Sequence, residues 1–191
     1  KAILQELVGG EYTGNDQEIL FKPIGKNDVS LSLKASSGAS KSLLLIDHFV
    51  NKLASSNGML IVDEPELNLH LDAQKKIAQL LAALTNIGVK VVVTTHSDHF
   101  IREINNLIML SSDKIGAQRK AELLARANIK PIALLKPEDV SAVVIDSQTG
   151  NTNQMPVTDL GIELTLFNEE ILASMDISND ITHAFYAGDE S

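Results

Sequence analysis

The junction Met59-Leu60-Ile61-Val62-Asp63-Glu64 constrains the fold more than any other stretch. A short continuous apolar run that ends abruptly in two acids suits a strand covered on both faces, as in a parallel sheet. Ala73, Ile77, Leu80, Leu81 and Leu84 then recur at the spacing of one helix face, which predicts a helix from about Leu71 to Asn86, stopped by Gly88. Val89 to Val93 predicts a second buried strand, ending at Thr94-Thr95-His96-Ser97. A short helix carrying Phe100, Ile101 and Ile104 follows, and Leu107 to Leu110 reads as a third buried strand. Strand, helix, strand, helix, strand predicts right-handed βαβ units, and so an α/β fold with a mostly parallel sheet flanked by helices. In such sheets the chemistry gathers at the carboxyl ends of the strands, where both polar clusters lie.

Around this frame the pattern is simpler. Ala2 to Leu7 reads as the tail of a helix, punctuated by Gly9-Gly10. Glu18 to Ile24 and Val29 to Lys34 read as strands, the second with the alternation of a half-buried one. A small-residue knot, Ala35 to Ser40, precedes an apolar helix from about Lys41 to Ala54. After Ser112 a basic helix and a connector run to Pro137. Val140 to Asp146 and Thr152 to Val157 predict a hairpin. A last helix is expected from Leu164 to Ser174, and the acidic stretch Met175 to Ser191 reads as loosely ordered. There is no internal repeat.

Composition narrows the function classes. With 191 residues, 44% of them hydrophobic, the chain can build one ordinary core. A formal net charge of -9 gives no general electrostatic case for binding a phosphate backbone. The absence of cysteine excludes disulfides and thiolate metal sites, and agrees with a cytoplasmic protein. No apolar run approaches the ~20 residues needed to cross a bilayer, so no membrane partner is expected. Aromatic residues are only 4%, which disfavours base stacking.

The acidic pair has a chemical reading of its own. Asp63 at a strand end can hold a divalent cation, directly or through water, and Glu64 can polarise an attacking water. Adjacent carboxylates repel when both are charged, so a cation is chemically expected. Against this stands a strand that merely ends in solvated acids. Ser36-Ser37-Gly38 puts a hydroxyl and free N–H groups at a helix start, which is either an anion site or an ordinary serine cap. His96 either meets a ligand or caps the next helix.

The longer stretch Gly58 to His70, containing Asp63-Glu64-Pro65-Glu66-Leu67-Asn68-Leu69-His70, resembles the Walker B and D-loop segment of ABC-type P-loop ATPases. Within that class it is most similar to the branch of RecF, SMC-like heads and overcoming-lysogenization-defect proteins. Thr94-Thr95-His96-Ser97 resembles the switch-histidine segment of the same class, and Ser36-Ser37-Gly38 stands where the class carries its signature loop. The resemblance covers about Val29 to Leu110. It implies the C-terminal lobe of an ATPase head over residues 1–174, with a basic insertion at about 112–136 and the tail 175–191 outside it. It further implies ATP and Mg²⁺ as cofactors, with Asp63 on the metal, Glu64 and His96 catalytic, and Ser36, Ser37, Gly38, Asn68 and His70 facing nucleotide. His70 stands where the wider class often has Asp, and Leu71 where this branch often has Pro.

One part is missing. The phosphate-cradling G-x-x-x-x-G-K-[ST] loop does not occur; Gly38-Ala39-Ser40-Lys41-Ser42 imitates it but has serine where glycine must precede the lysine. The expectation is a segment of a longer polypeptide whose P-loop lies N-terminal to Lys1, so that the chain by itself neither holds ATP well nor turns it over. Expected partners are that P-loop-bearing segment, a second ATPase head in a homodimer or higher assembly, and a separate effector protein. The resemblance points to prokaryotic anti-phage defence, with DNA repair or recombination as the alternative. Two other classes compete: a non-hydrolysing dimerisation scaffold, and a metallohydrolase built on His96-Ser97-Asp98-His99. From 113 to 136, six basic residues (Lys114, Arg119, Lys120, Arg126, Lys130 and Lys136) outnumber Asp113 and Glu122, which is either a nucleic-acid contact or a solvated helix face.

Overall fold

The computed structural model describes residues 1–14, 18–26, 28–55, 57–145, 149–163 and 177. The helix expected from Leu164 to Ser174 and the acidic tail therefore lie outside the described residues, apart from Ile177. The chain opens with helix α1 (Ala2–Val8), which Gly9 closes in the left-handed conformation with φ 62°. Strands β1 (Gly10–Gly14), β2 (Ile19–Pro23) and β3 (Leu31–Ser32) form an antiparallel sheet in that order. β1 has no alternation to betray it; it exists because Gly10 to Gly14 pair with Pro23 to Ile19, and Tyr12 packs on Phe21 with ring centroids 5.2 Å apart. The strand expected over Val29 to Lys34 shrinks to β3, because the chain turns into a 3-10 turn at Leu33–Ala35.

Helix α2 (Gly38–His48) starts earlier than expected, since Ser37 caps it, and it runs on into a single π turn at Phe49–Leu53. Then comes the predicted unit: β4 (Met59–Asp63), α3 (Leu71–Asn86) and β5 (Lys90–Thr94), with β4 and β5 parallel and in register from Met59↔Lys90 to Asp63↔Thr94. This pair, flanked by helices, makes the fold α/β; the other ladders among the described residues are antiparallel. Neither strand is covered on both faces. Leu60, Val62, Val91 and Val93 pack on the core, while Met59 (56% exposed), Ile61 (69%) and Val92 (46%) face outward.

Leu107 to Leu110 is not a strand. Helix α4 (Asp98–Ser111) continues through it, with Phe100, Ile101, Leu107, Ile108 and Leu110 buried. A short apolar run is ambiguous by periodicity alone; here it extends a face begun by Phe100 and Ile104, so the helical register wins. Helix α5 (Ala117–Ala127) is the basic helix, closed by Asn128 at φ 51°. The predicted hairpin is β6 (Ala142–Ile145) with β7 (Thr152–Met155), followed by a tighter one, β8 (Val157–Thr158) with β9 (Gly161–Ile162).

Two apolar clusters hold these elements. The larger joins α1, α2 and α3 with the inner face of β4 and β5, and includes the fully buried Ile77 and Val89. The smaller joins Leu107, Ile108 and Leu110 of α4 to Ala82 of α3 and to Ile129, Ala133 and Leu135. Each buried Leu, Ile, Val or Phe among them stabilises by about 1.5–3 kcal/mol. The segment 112–136 is thus no loose insertion. Gln79 bonds Asn128 O and Lys130 N, and Asn86 donates to the carbonyls of Ile132 and Leu134 at 2.8 and 2.7 Å. Among the described residues no helix is long and apolar enough to cross a membrane.

The tight hairpin depends on one glycine. Gly161 has φ 99°, and a Cβ there would meet the Asn105 side chain at 2.3 Å. Asn105 in turn accepts from Ile162 N at 2.7 Å and donates to Ile162 O at 3.1 Å. Gly161→Ala should displace that clamp and strain the backbone, costing roughly 1–3 kcal/mol in a denaturant titration.

Candidate functional site

The site grows from the ends of β4 and β5. The Thr94 hydroxyl donates to Asp63 Oδ1, which fixes the carboxylate; Oδ2 has no hydrogen-bond partner among the described residues. An exposed carboxylate with one open oxygen fits a hard divalent cation, which takes oxygen ligands and keeps several waters. Asp63 could therefore hold such a cation.

At Glu64 the chain turns with φ 44°, a conformation that a side-chain-bearing residue adopts at a cost on the order of 1 kcal/mol. Glu64 N donates to the Thr94 carbonyl at 3.0 Å, which pins the turn to the neighbouring strand. The result is a close approach between the two loops: His96 Nε2 stands 3.7 Å from Glu64 Oε1. That exceeds a direct hydrogen bond and leaves the imidazole, 89% exposed, open to a third group. Asp63, Glu64 and His96 are thus brought together from two strand ends.

Asn68 and the start of α2 form a second meeting point. Asn68 also has a left-handed backbone, φ 64°, and its Nδ2 donates to Ser42 Oγ at 3.4 Å. A Cβ on Gly38 would come within 3.2 Å of the Asn68 amide carbon, so glycine is what lets this loop approach the helix. Ser37 is an N-cap whose oxygen accepts from Ser40 N at 3.2 Å. Ser36 is buried and donates to Ser32 O at 3.1 Å, so its hydroxyl is committed inward. The Gly38 and Ala39 amides are the ones that helix geometry leaves without intrahelical partners. His70 is exposed at the start of α3 and makes no side-chain cap bond.

The start of α2 is also held from β1. Tyr12 donates its hydroxyl to Ser40 O at 2.5 Å. Burial, with the Asp47 charge adding to it, pushes the Tyr12 phenol up to about 12. The folded value lies above the ordinary 10.0, so the unfolded chain deprotonates first. This contribution is complete below pH ~10 and is lost as pH rises from there toward ~12. Tyr12→Phe should flatten that part of the stability–pH curve, measured by denaturant unfolding at pH 9 and 11.

Other polar residues have local roles. Asp98 Oδ2 pairs with Arg102 Nε at 2.8 Å, and His99 Nε2 lies 4.0 Å from Glu103 Oε1, both one turn apart on α4. Asp98 and His99 are half-buried, and among the described residues Asp98 Oδ1 and His99 Nε2 have no hydrogen-bond partner. No group of three or more His, Asp or Glu that could hold a metal occurs among the described residues. Five of the six basic residues from 113 to 136 are engaged within the chain: Lys114 with Asp159, Arg119 with Glu122, Lys120 with Ser111 O, Lys130 with Glu6 and Lys136 with Glu138.

Residues 16–102 match the family model described as an AAA domain, putative AbiEii toxin of a type IV toxin–antitoxin system. That segment is similar to the AAA-type P-loop ATPase domain that the family model describes. It contains every residue of the two meeting points, from Ser36 to His96. The chain also aligns with a solved chain from work on ATP-driven dimerization and DNA-stimulated activation of SMC ATPases. The two share 16% identity with a TM-score of 0.49, over 92% of this chain and 87% of that one. No curated protein matches the sequence. Sequence reasoning passed over two residues beside the site, Glu66 and Thr95, though both stand inside motifs it quoted; a buried acid in a loop carries no periodic signal.

Proposed function

We propose that this chain is the lobe of an ATP-hydrolysing head that supplies the water-activating acid and the γ-phosphate-sensing histidine. The observation that carries the reading is the 3.7 Å approach of His96 to Glu64 across the ends of two parallel strands. Glu64 orients and polarises the attacking water, His96 contacts the γ-phosphate from the gap between them, and Asp63 holds Mg²⁺. A scaffold without turnover needs neither the strained Glu64 nor the exposed His96.

The phosphate cradle comes from a P-loop-bearing segment outside these 191 residues. The outward face of β4 and β5 supports this, because Met59, Ile61 and Val92 form an apolar surface that a further layer would bury. Gly38 and Ala39 amides at the start of α2 serve the nucleotide of a second head, with Asn68 and His70 at the seam between the two. The description of the matched family as part of a toxin–antitoxin system favours prokaryotic defence with a separate effector over DNA repair. Four of the six basic residues from 113 to 136 already pair with acids of this chain, which lends no support to nucleic-acid contact there. The decisive measurement is ATP turnover against ATP binding in Glu64→Gln of the complete protein; turnover at the wild-type rate would sink the reading.

A further inference from the structure

Glu66 is a buried carboxylate, 8% exposed, one residue past the proline that follows the acidic pair. Its Oε1 accepts the Thr95 hydroxyl at 2.5 Å, and its Oε2 has no hydrogen-bond partner among the described residues. No cation pairs with it among the described residues. An acid so placed destabilises the fold unless it does something there.

The bond from Thr95 is one link in a closed ring. Thr95 Oγ1 also accepts from Ser97 N at 3.0 Å. Ser97 Oγ caps α4 by accepting from Phe100 N at 3.1 Å, and donates to Gln74 Oε1 at 3.4 Å. Gln74 Nε2 donates to Leu69 O at 3.1 Å, and Leu69 N donates to Glu66 O at 3.0 Å. The ring therefore runs Glu66, Thr95, Ser97, Gln74, Leu69 and back. It fixes the residues on both sides of His96 and leaves that imidazole alone exposed. Leu69 and Phe100 anchor the circuit in the main core.

We propose that Glu66 is a positioning residue for His96: through Thr95 its carboxylate holds the histidine loop at the distance from Glu64 that turnover requires. This rests on the ATPase reading above. It assigns to Glu66 no contact with nucleotide. A misplacement of about 1 Å at a reacting group costs on the order of 100-fold in rate, so a tether of this kind matters without touching substrate.

The test uses Glu66→Ala, Glu66→Gln, Thr95→Val and the Ala–Val double variant of the complete protein. Two quantities are read: ATP turnover, and amide hydrogen exchange at residues 94–97. Glu66→Ala and Thr95→Val should each lower kcat about 10- to 100-fold with KM for ATP changed less than about twofold. The double variant should be no worse than Thr95→Val alone, which already cuts the bond to Glu66 together with the one from Ser97 N. Glu66→Gln keeps an acceptor at Oε1 and should stay within about threefold of wild type. Exchange at His96 and Ser97 should quicken in the Ala and Val variants only. The proposal is overturned by wild-type kcat in Glu66→Ala where Glu64→Gln is inactive, or by losses that multiply in the double variant. Should Glu64→Gln hydrolyse ATP normally, the ATPase reading falls, and exchange alone decides the tether: quickened at 96–97 it stands, unchanged it does not. If Glu66→Ala does not fold, the near-isosteric Thr95→Val decides in its place, by the same two readouts.

Discussion

Glu64→Gln in the complete protein should bind ATP as the wild type does and hydrolyse it on the order of 10²–10⁴-fold more slowly. The amide keeps the shape of the side chain and its place 3.7 Å from His96, but no longer polarises water as a carboxylate does. Its backbone bond to Thr94 O is untouched, so the turn at φ 44° survives. Asp63 and its Thr94 partner are untouched as well, so metal-assisted ATP binding persists. Binding is read with a fluorescent nucleotide and turnover by phosphate release. Parallel loss of both would place Glu64 in the fold rather than in the chemistry.

Ile61→Asp should instead weaken ATP binding itself. Ile61 is 69% exposed on the outer face of β4, between Met59 and the acidic pair. If a P-loop-bearing layer covers this face, the variant buries an unpaired charge there, at a cost of several kcal/mol. Nucleotide affinity of the complete protein should then fall by on the order of 100-fold or more, since each ~1.4 kcal/mol is tenfold. Ile61→Val, which keeps the face apolar, should leave affinity unchanged within about twofold. Wild-type affinity in Ile61→Asp would mean that the face stays open to water in the working protein.

The sequence carried the βαβ unit because its signals are local and periodic: the run Met59–Val62, the one-sided helix through Ile77 and Leu84, and the strand ending at Thr94. It misled at Leu107–Leu110, where a buried helix face and a buried strand look alike over four residues. It could not show that β4 and β5 are half open, since that depends on what lies over them. The juxtaposition of Glu64 and His96 was legible as two strand ends in one sheet. The ring through Glu66, Thr95, Ser97 and Gln74 was not, because its members come from two loops and a helix, and none is unusual where it stands. The basic run from 113 to 136 read as surplus charge, yet its partners Glu6 and Asp159 are remote in the chain.

Helix α3 has a mechanical consequence. Its sixteen residues span about 24 Å at 1.5 Å each, and it begins immediately after His70. Along its length it is bolted on one side to the main core through Ile77, Leu80, Leu81 and Leu84. On the other side Gln79 and Asn86 rivet it to the connector at 128–134. A stiff rod fastened in this way ties the loop bearing Asn68 and His70 at its near end to the connector at its far end.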